Sequence, residues 1–295
     1  MTSHLKTVGI IGLGRIGSLL APHLLSAGFT VVGYDVREPA MAQLLVAGGS
    51  GAKSPADLAD QVDVVITSLP SSEALEDVVC GPNGLVAGGR VGLDVIETST
   101  LAPEDKERRL CELAAVEITL LDCPISGTAN QLQSADVVVY CSGDLEGLNR
   151  QANVIAAFSR QQYNVGEFGN GSRLKLLANH LVAIHTAAAA EVLLLARRSG
   201  IDVNRALQAL ADGAGSSRML ELRGPMIIER DYADANMGLD LFLKDLELIK
   251  DLASVSGSAT PLLDICAPLY QEAARACGMS FDAAAVIEVF EGIAP

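Results

Sequence analysis

Two groups of residues in this 295-residue chain have types and spacings suited to chemistry. The first is Gly12-Leu13-Gly14-Arg15-Ile16-Gly17, a G-x-G-x-x-G run directly after the apolar segment Thr7–Ile11 and at the start of a helix-like stretch, Arg15–Ala27. In such a turn Gly12 allows the tight bend, Gly14 lets a pyrophosphate approach the backbone, and Gly17 lets the helix pack on the strand. The helix N-terminus adds unpaired N–H groups and about half a positive charge. The next apolar segment, Thr30–Tyr34, leads into Asp35, 35 − 17 = 18 residues beyond Gly17, where an acid can bind ribose hydroxyls. Asp35 would repel a 2′-phosphate and so favours NAD. Arg37 could contact such a phosphate, which keeps NADP as the alternative.

The second group is Lys175 and Asn179, in Gly169-Asn-Gly171-Ser-Arg-Leu-Lys175-Leu-Leu-Ala-Asn179. At i and i+4 of a helix the two side chains share a face. A lysine in so apolar a stretch is costly unless it is paired or functional. Desolvation or a nearby cation would lower its pKa from about 10.4 and let it exchange a proton near neutrality. On pattern alone, a lysine snorkelling at a helix start explains the residue equally well.

The elements around these groups differ between the two halves. Thr7–Ile11, Thr30–Tyr34, Asp63–Ser68, Val91–Ile96, Ile118–Leu121 and Val137–Cys141 read as strands. Helix-like stretches such as Arg15–Ala27 and Pro103–Ala114 lie between them, and Ser54-Pro55 marks a helix start. Strand, helix, strand at this spacing predicts an α/β domain with a mainly parallel sheet. From about Gly169 the pattern turns helical, with breaks expected near Gly200, Gly213–Ser217, Gly224-Pro225, Ser256–Ser258 and Gly278. Asp202 and Asp282 look like helix caps; Ser216-Ser217-Arg218 reads as a cap by default, with a substrate loop as the alternative. The reading is therefore an α/β domain over residues 1–168 and an all-α domain over 169–295. They are joined by a helix from Ser172 to Arg198, about 27 residues and about 40 Å long.

Composition narrows the function classes. With 21 Lys+Arg against 36 Asp+Glu the formal charge is −15, so neither nucleic acid nor an anionic membrane is an expected partner. Hydrophobic residues are 49% and charged residues 19%, enough for large cores and unlike a disordered chain. Leu174–Ala196 is the most apolar stretch, but Lys175, Asn179, His180, His185 and Glu191 interrupt it, which suits a buried helix better than a membrane span. The six cysteines have no C-x-x-C spacing and read as reduced thiols; with no signal-like start at Met1, a cytoplasmic protein is expected. His4, His23, His180 and His185 do not have metal-ligand spacing, so no metal is expected. The four alanines at Ala187–Ala190 suit close helix packing, in a core or at a dimer contact.

Four separated segments together resemble the β-hydroxyacid dehydrogenase family, which includes 3-hydroxyisobutyrate dehydrogenases and tartronate semialdehyde reductases. They are Gly12-Leu-Gly-Arg-Ile-Gly17, Asp122-Cys-Pro-Ile-Ser-Gly127, Gly169-x-Gly171-x-x-x-Lys175-x-x-x-Asn179 and Lys244-Asp245-Leu246. The resemblance runs in order through nearly the whole chain. It implies a Rossmann-type domain, a helical second domain, an active site in the cleft between them, and a homodimer or homotetramer. It further implies NAD-linked, reversible hydride transfer between a 3-hydroxy acid and its semialdehyde or keto acid.

The resemblance also assigns roles. Lys175 matches the family's general acid/base and Asn179 its substrate-orienting asparagine. Ser126 and Gly127 match the segment that holds the substrate carboxylate. Leu69 and Pro70, in Ser68-Leu69-Pro70, match a loop lining the nucleotide; Thr100 matches a position beside the cofactor, and Lys244 one that reaches cofactor and substrate. Three positions depart from the family pattern. Thr128 and Ala135 stand where glycines are usual, and Ile16 where methionine is common. Thr128 adds bulk and a hydroxyl beside the expected carboxylate site. Two rival readings follow: an oxidative decarboxylase like 6-phosphogluconate dehydrogenase, and a nucleotide-binding scaffold without catalysis.

Overall fold

The computed structural model describes residues 6–88, 90–233 and 238–292; His4 lies outside them. The chain divides into two compact units, Met1–Lys175 and Leu176–Pro295.

The first unit is built on β1 (Thr7–Ile11), β2 (Thr30–Tyr34), β3 (Ser50–Gly51), β4 (Val64–Thr67), β5 (Asp94–Glu97) and β6 (Thr119–Asp122). These form one sheet in the order β3-β2-β1-β4-β5-β6. Every neighbouring pair in it is parallel. The centres of β1, β4 and β5 are buried Val, Ile and Gly, as a parallel sheet covered on both faces requires, while Thr67, Asp94 and Glu97 are buried polar residues at the ends of β4 and β5. One apolar cluster gathers Val8, Ile10, Leu20 and Leu24, and the other Ile11, Leu58, Val65 and Val95, so alternate residues of β1 feed opposite faces. The order reverses between β1 and β4, and ligands of such sheets bind outside the strands' carboxyl ends at that point.

A second, three-stranded sheet follows: β7 (Ile125–Ser126) pairs antiparallel with β8 (Val138–Cys141), which pairs parallel with β9 (Gln161–Asn164). β7 and β3 are two residues long, and β9 is Gln-Gln-Tyr-Asn, so none shows an apolar alternation in the sequence. The expected strand Val91–Ile96 begins later, at Asp94, because Gly92 adopts φ +79 in a turn.

The second unit is helical. The helix Asn170–Arg198 begins in the first unit and continues into the second, followed by Val203–Asp212, Arg218–Glu229, Leu239–Ser256, Pro261–Cys277 and Val286–Gly292. Asp202 and Ser217 cap helices by accepting from the N–H groups of Arg205 and Leu220. The break expected at Gly224-Pro225 is absent: both residues lie inside Arg218–Glu229. Gly224 serves packing, since a Cβ there would sit 2.5 Å from Leu207 Cδ1. By length and composition the long helix could cross a membrane. Its Leu176, Ala183, Ala187, Ala190 and Leu193 instead pack into the second unit's core with Phe242 and Tyr270.

Candidate active site

At the glycine-rich turn, Gly12 N–H donates to Tyr34 O (2.9 Å) and adopts φ +89. A Cβ on Gly12 would lie 2.2 Å from Ser68 O and 3.1 Å from Leu69 Cδ2, and one on Gly17 would lie 1.9 Å from Gly12 O. These two glycines are required by the backbone's own packing. Gly14 differs: the nearest atom to a Cβ there is Arg37 Nη2, at 3.8 Å. The space over Gly14 is therefore open, which is the cradle a pyrophosphate needs. Leu13 and Ile16 pack into the core, while Arg15 is exposed.

Asp35 follows β2 and gathers this loop. Its Oδ2 accepts from Leu13 N–H (2.7 Å), and its Oδ1 accepts from Arg37 N–H (2.8 Å) and Arg37 Nε (3.0 Å). Arg37 Nη2 adds a bond to Oδ2 (3.0 Å), making the pair bidentate. Burial raises the Asp35 carboxyl, but the Arg37 side chain and the two backbone N–H groups outweigh it and hold the group below the usual carboxylate range. Asp35 and Arg37, read separately in the sequence, thus form one unit, with the arginine side chain 58% exposed.

The loops after β4 and β5 lie side by side. Leu69 N–H donates to Ser99 Oγ (2.8 Å), and Thr98 N–H to Thr67 O (3.0 Å). This brings Leu69 to Gly12 and places Thr100 directly after the serine that holds Leu69; Pro70 is exposed beside them.

In the substrate segment, Ser126 Oγ accepts from Tyr140 Oη at 3.3 Å, the two side chains sharing a face of the β7–β8 pair. Gly127 has φ +149, and a Cβ there would lie 2.6 Å from Val137 Cγ1. Thr128 caps the helix Ala129–Gln133: its Oγ1 accepts from Gln131 N–H (3.2 Å), while its own N–H donates to Gln131 Oε1 (3.0 Å). The hydroxyl expected to crowd the substrate is engaged in a capping box. Ala135 holds φ +54, a left-handed conformation that accounts for the usual glycine there. Cys123 is fully buried and its thiol is pushed well up by burial, with Cys141 adding to the effect, so it is no nucleophile near neutrality.

On the long helix, Lys175 and Asn179 are both buried, 5% and 1% exposed. Asn179 Nδ2 donates to Asp245 Oδ2 (2.7 Å), and Lys244 Nζ lies 3.8 Å from Asp245 Oδ1. Asn179, Lys244 and Asp245 are thereby brought together in the second unit.

A buried cluster at the ends of β4, β5 and β6 carries no signal in the sequence. Lys106 Nζ donates to Asp122 Oδ1 (2.9 Å) and Ser99 O (2.7 Å) and lies 3.5 Å from Glu97 Oε1; all three charged side chains are fully buried. Glu97 also accepts from Thr67 Oγ1 and from Ser99 N–H. Burial lowers the Lys106 ammonium's pKa, but the Asp122 and Glu97 carboxylates outweigh that and raise it. Asp122 further accepts from Ser172 N–H (2.8 Å), Ser172 Oγ (2.7 Å) and Ser142 Oγ (3.1 Å).

Residues 7–166 match the family model described as the NAD-binding domain of 6-phosphogluconate dehydrogenase. Residues 169–290 match the one described as NAD-binding of NADP-dependent 3-hydroxyisobutyrate dehydrogenase. The chain belongs to the β-hydroxyacid dehydrogenase family. The dehydrogenase is 34% identical to an L-threonate dehydrogenase of Cupriavidus necator, over 98% of this chain and 97% of that one. It is 30% identical to an NAD-dependent L-serine dehydrogenase of Pseudomonas aeruginosa, over 90% and 92% of the two chains. A solved 3-hydroxyisobutyrate dehydrogenase from Salmonella typhimurium superposes with a TM-score of 0.86 at 30% identity, over 97% of this chain and all of that one. The protein is an NAD(P)-dependent hydroxyacid dehydrogenase with the Rossmann-type α/β domain and helical region of its family.

Proposed function

We propose that this dehydrogenase oxidises a small hydroxy acid reversibly, with NAD as the preferred cofactor and Lys175 as the proton carrier. The observation that carries the reading is the buried Lys175–Asn179 pair on one helix face, in a chain whose Gly14 cradle is open. A bound nicotinamide dinucleotide supplies the hydride acceptor. Gly12, Gly14, Gly17 and the helix N-terminus bind its pyrophosphate, Asp35 its ribose hydroxyls, and Leu13, Arg15, Ile16, Leu69, Pro70, Thr100 and Lys244 complete its surroundings. Asp35 turns Arg37 onto itself, which favours NAD over NADP.

Ser126 and Gly127 hold the substrate carboxylate, with Thr128 at the segment's edge. In oxidation the carbinol C–H leaves as hydride while Lys175 Nζ takes the hydroxyl proton, leaving a carbonyl; in reduction the lysine ammonium returns that proton. Asn179, its Nδ2 held by Asp245, presents its amide oxygen to the hydroxyl or the ammonium. The substrate is of the 3-hydroxyisobutyrate type, a carboxylate with a hydroxyl close by. The L-threonate relative and the Tyr140 hydroxyl beside Ser126 put polyhydroxylated acids first. The division at 168/169, a homodimer or homotetramer and a cytoplasmic setting belong to the same reading.

The test is turnover of L-threonate, 3-hydroxyisobutyrate and L-serine with NAD and with NADP, on wild type and Lys175→Ala. General acid–base catalysis contributes about 10²–10⁴-fold, so the variant should lose that much turnover and still bind NADH. Near-normal turnover in Lys175→Ala ends the lysine assignment. Tight NADH binding without oxidation of any of the three acids would overturn this substrate class.

A further inference from the structure

The Lys106 cluster buries two carboxylates against one ammonium, and a buried arrangement of this kind is a poor source of stability. Replacing such groups with packed apolar side chains is often neutral or stabilising. What distinguishes this cluster is what it holds. Lys106 grips Ser99 O, whose residue fixes Leu69 in the expected cofactor loop. It also grips Asp122, four residues before Ser126 in the expected carboxylate segment. Asp122 in turn takes both the N–H and the hydroxyl of Ser172 in the first turn of the helix Asn170–Arg198.

Ser172 and Lys175 stand at i and i+3, so the residue gripped by Asp122 lies on the face that carries the lysine, about 4.5 Å further along the axis. Contact at this junction is close. A Cβ on Gly171 would meet Tyr140 O at 2.5 Å and Asp122 O at 2.7 Å, and Gly171 N–H donates to Ser142 Oγ at 2.9 Å. Ser142 Oγ also bonds Asp122 Oδ2, which closes a ring of bonds between strand end, β8 loop and helix start.

We propose that Asp122, held by Lys106, is a positioning residue that locks the substrate-carboxylate segment and the lysine-bearing turn to one another. Carboxylate anchor and proton carrier thereby keep one spacing, and neither Asp122 nor Lys106 touches the reacting atoms. The inference rests on the roles proposed above for Ser126 and Lys175. A misplacement of about 1 Å can cost about 10²-fold in rate.

The test uses Ser172→Ala, which deletes one bond to Asp122 and leaves its charge paired. Expected are unchanged circular dichroism, an NADH Kd within twofold of wild type and a kcat lower by about tenfold. Hydrogen–deuterium exchange should quicken in two peptides together, one covering 123–127 and one covering 170–176. Ser172→Thr, which restores the hydroxyl, should recover most of the kcat. If Ser172→Ala does not fold, Ser142→Ala gives the same readouts by deleting the hydroxyl that bonds Asp122 and accepts from Gly171 N–H. A folded variant with kcat within twofold of wild type and unchanged exchange in both peptides overturns the proposal. The exchange arm needs no turnover, so it separates failure of this coupling from failure of the proposed activity.

Discussion

The Asp35–Arg37 pair and the Lys106 cluster both sit at carboxyl ends of strands of the same sheet, yet they are opposite solutions to holding charge. Arg37 is mostly exposed and bonded to a carboxylate two residues away, so water or a ligand can replace it with little loss. Lys106 reaches carboxylates from two different strands and has no water to fall back on. An exposed pair can be exchanged for a substrate or cofactor; a buried one can only fix what surrounds it. The first suits recognition, as proposed for Asp35, and the second suits a frame.

The widest separation between them should appear in stability. Lys106→Met leaves two buried carboxylates without their cation and should cost about 3–5 kcal/mol in denaturant unfolding. Asp35→Ser should cost far less. Equal losses would break the contrast.

Cofactor choice should show the reverse. Asp35→Ser releases Arg37 to meet a 2′-phosphate and should raise the NADP-to-NAD ratio of kcat/KM about tenfold. Folded Lys106→Met should leave that ratio as in wild type, and a shift there would mean that the frame also selects the cofactor.

The smallest effect involves no charge. Ala135 pays for its left-handed backbone, so Ala135→Gly should raise stability by about 0.5–1 kcal/mol, the strain relieved less the glycine's extra unfolded freedom. A destabilised Ala135→Gly would show that the alanine methyl contributes packing that outweighs the strain.

These two regions were not equally legible in the sequence. The glycine turn and Asp35 are close in the chain, and their spacing carries the chemistry, so strand, turn and acid could be read together. β1, β2 and the helix Pro103–Ala114 fall at the expected residues for the same local reason. Lys106 lies on the charged helix Pro103–Ala114 with no local signal to set it apart, because its partners Glu97 and Asp122 reach it only once β5 and β6 pair. β9 escaped because its four residues are polar or aromatic, without apolar alternation. Local propensity favours a break at Gly224-Pro225, whereas both residues lie inside Arg218–Glu229, where Leu207 packs against Gly224. Thr128 and Ala135 stood out as departures, but only the structure shows that one caps a helix and the other occupies a left-handed turn.

The anchored first turn of Asn170–Arg198 has a consequence for how the chain can vary over time. A helix fixed at one end behaves as a dial. Each residue inserted between Ser172 and Lys175 would turn the lysine by about 100° and carry it about 1.5 Å along the axis. Surface loops elsewhere can lengthen with little effect on the dial's setting, but these two intervening positions can change only in kind and never in number.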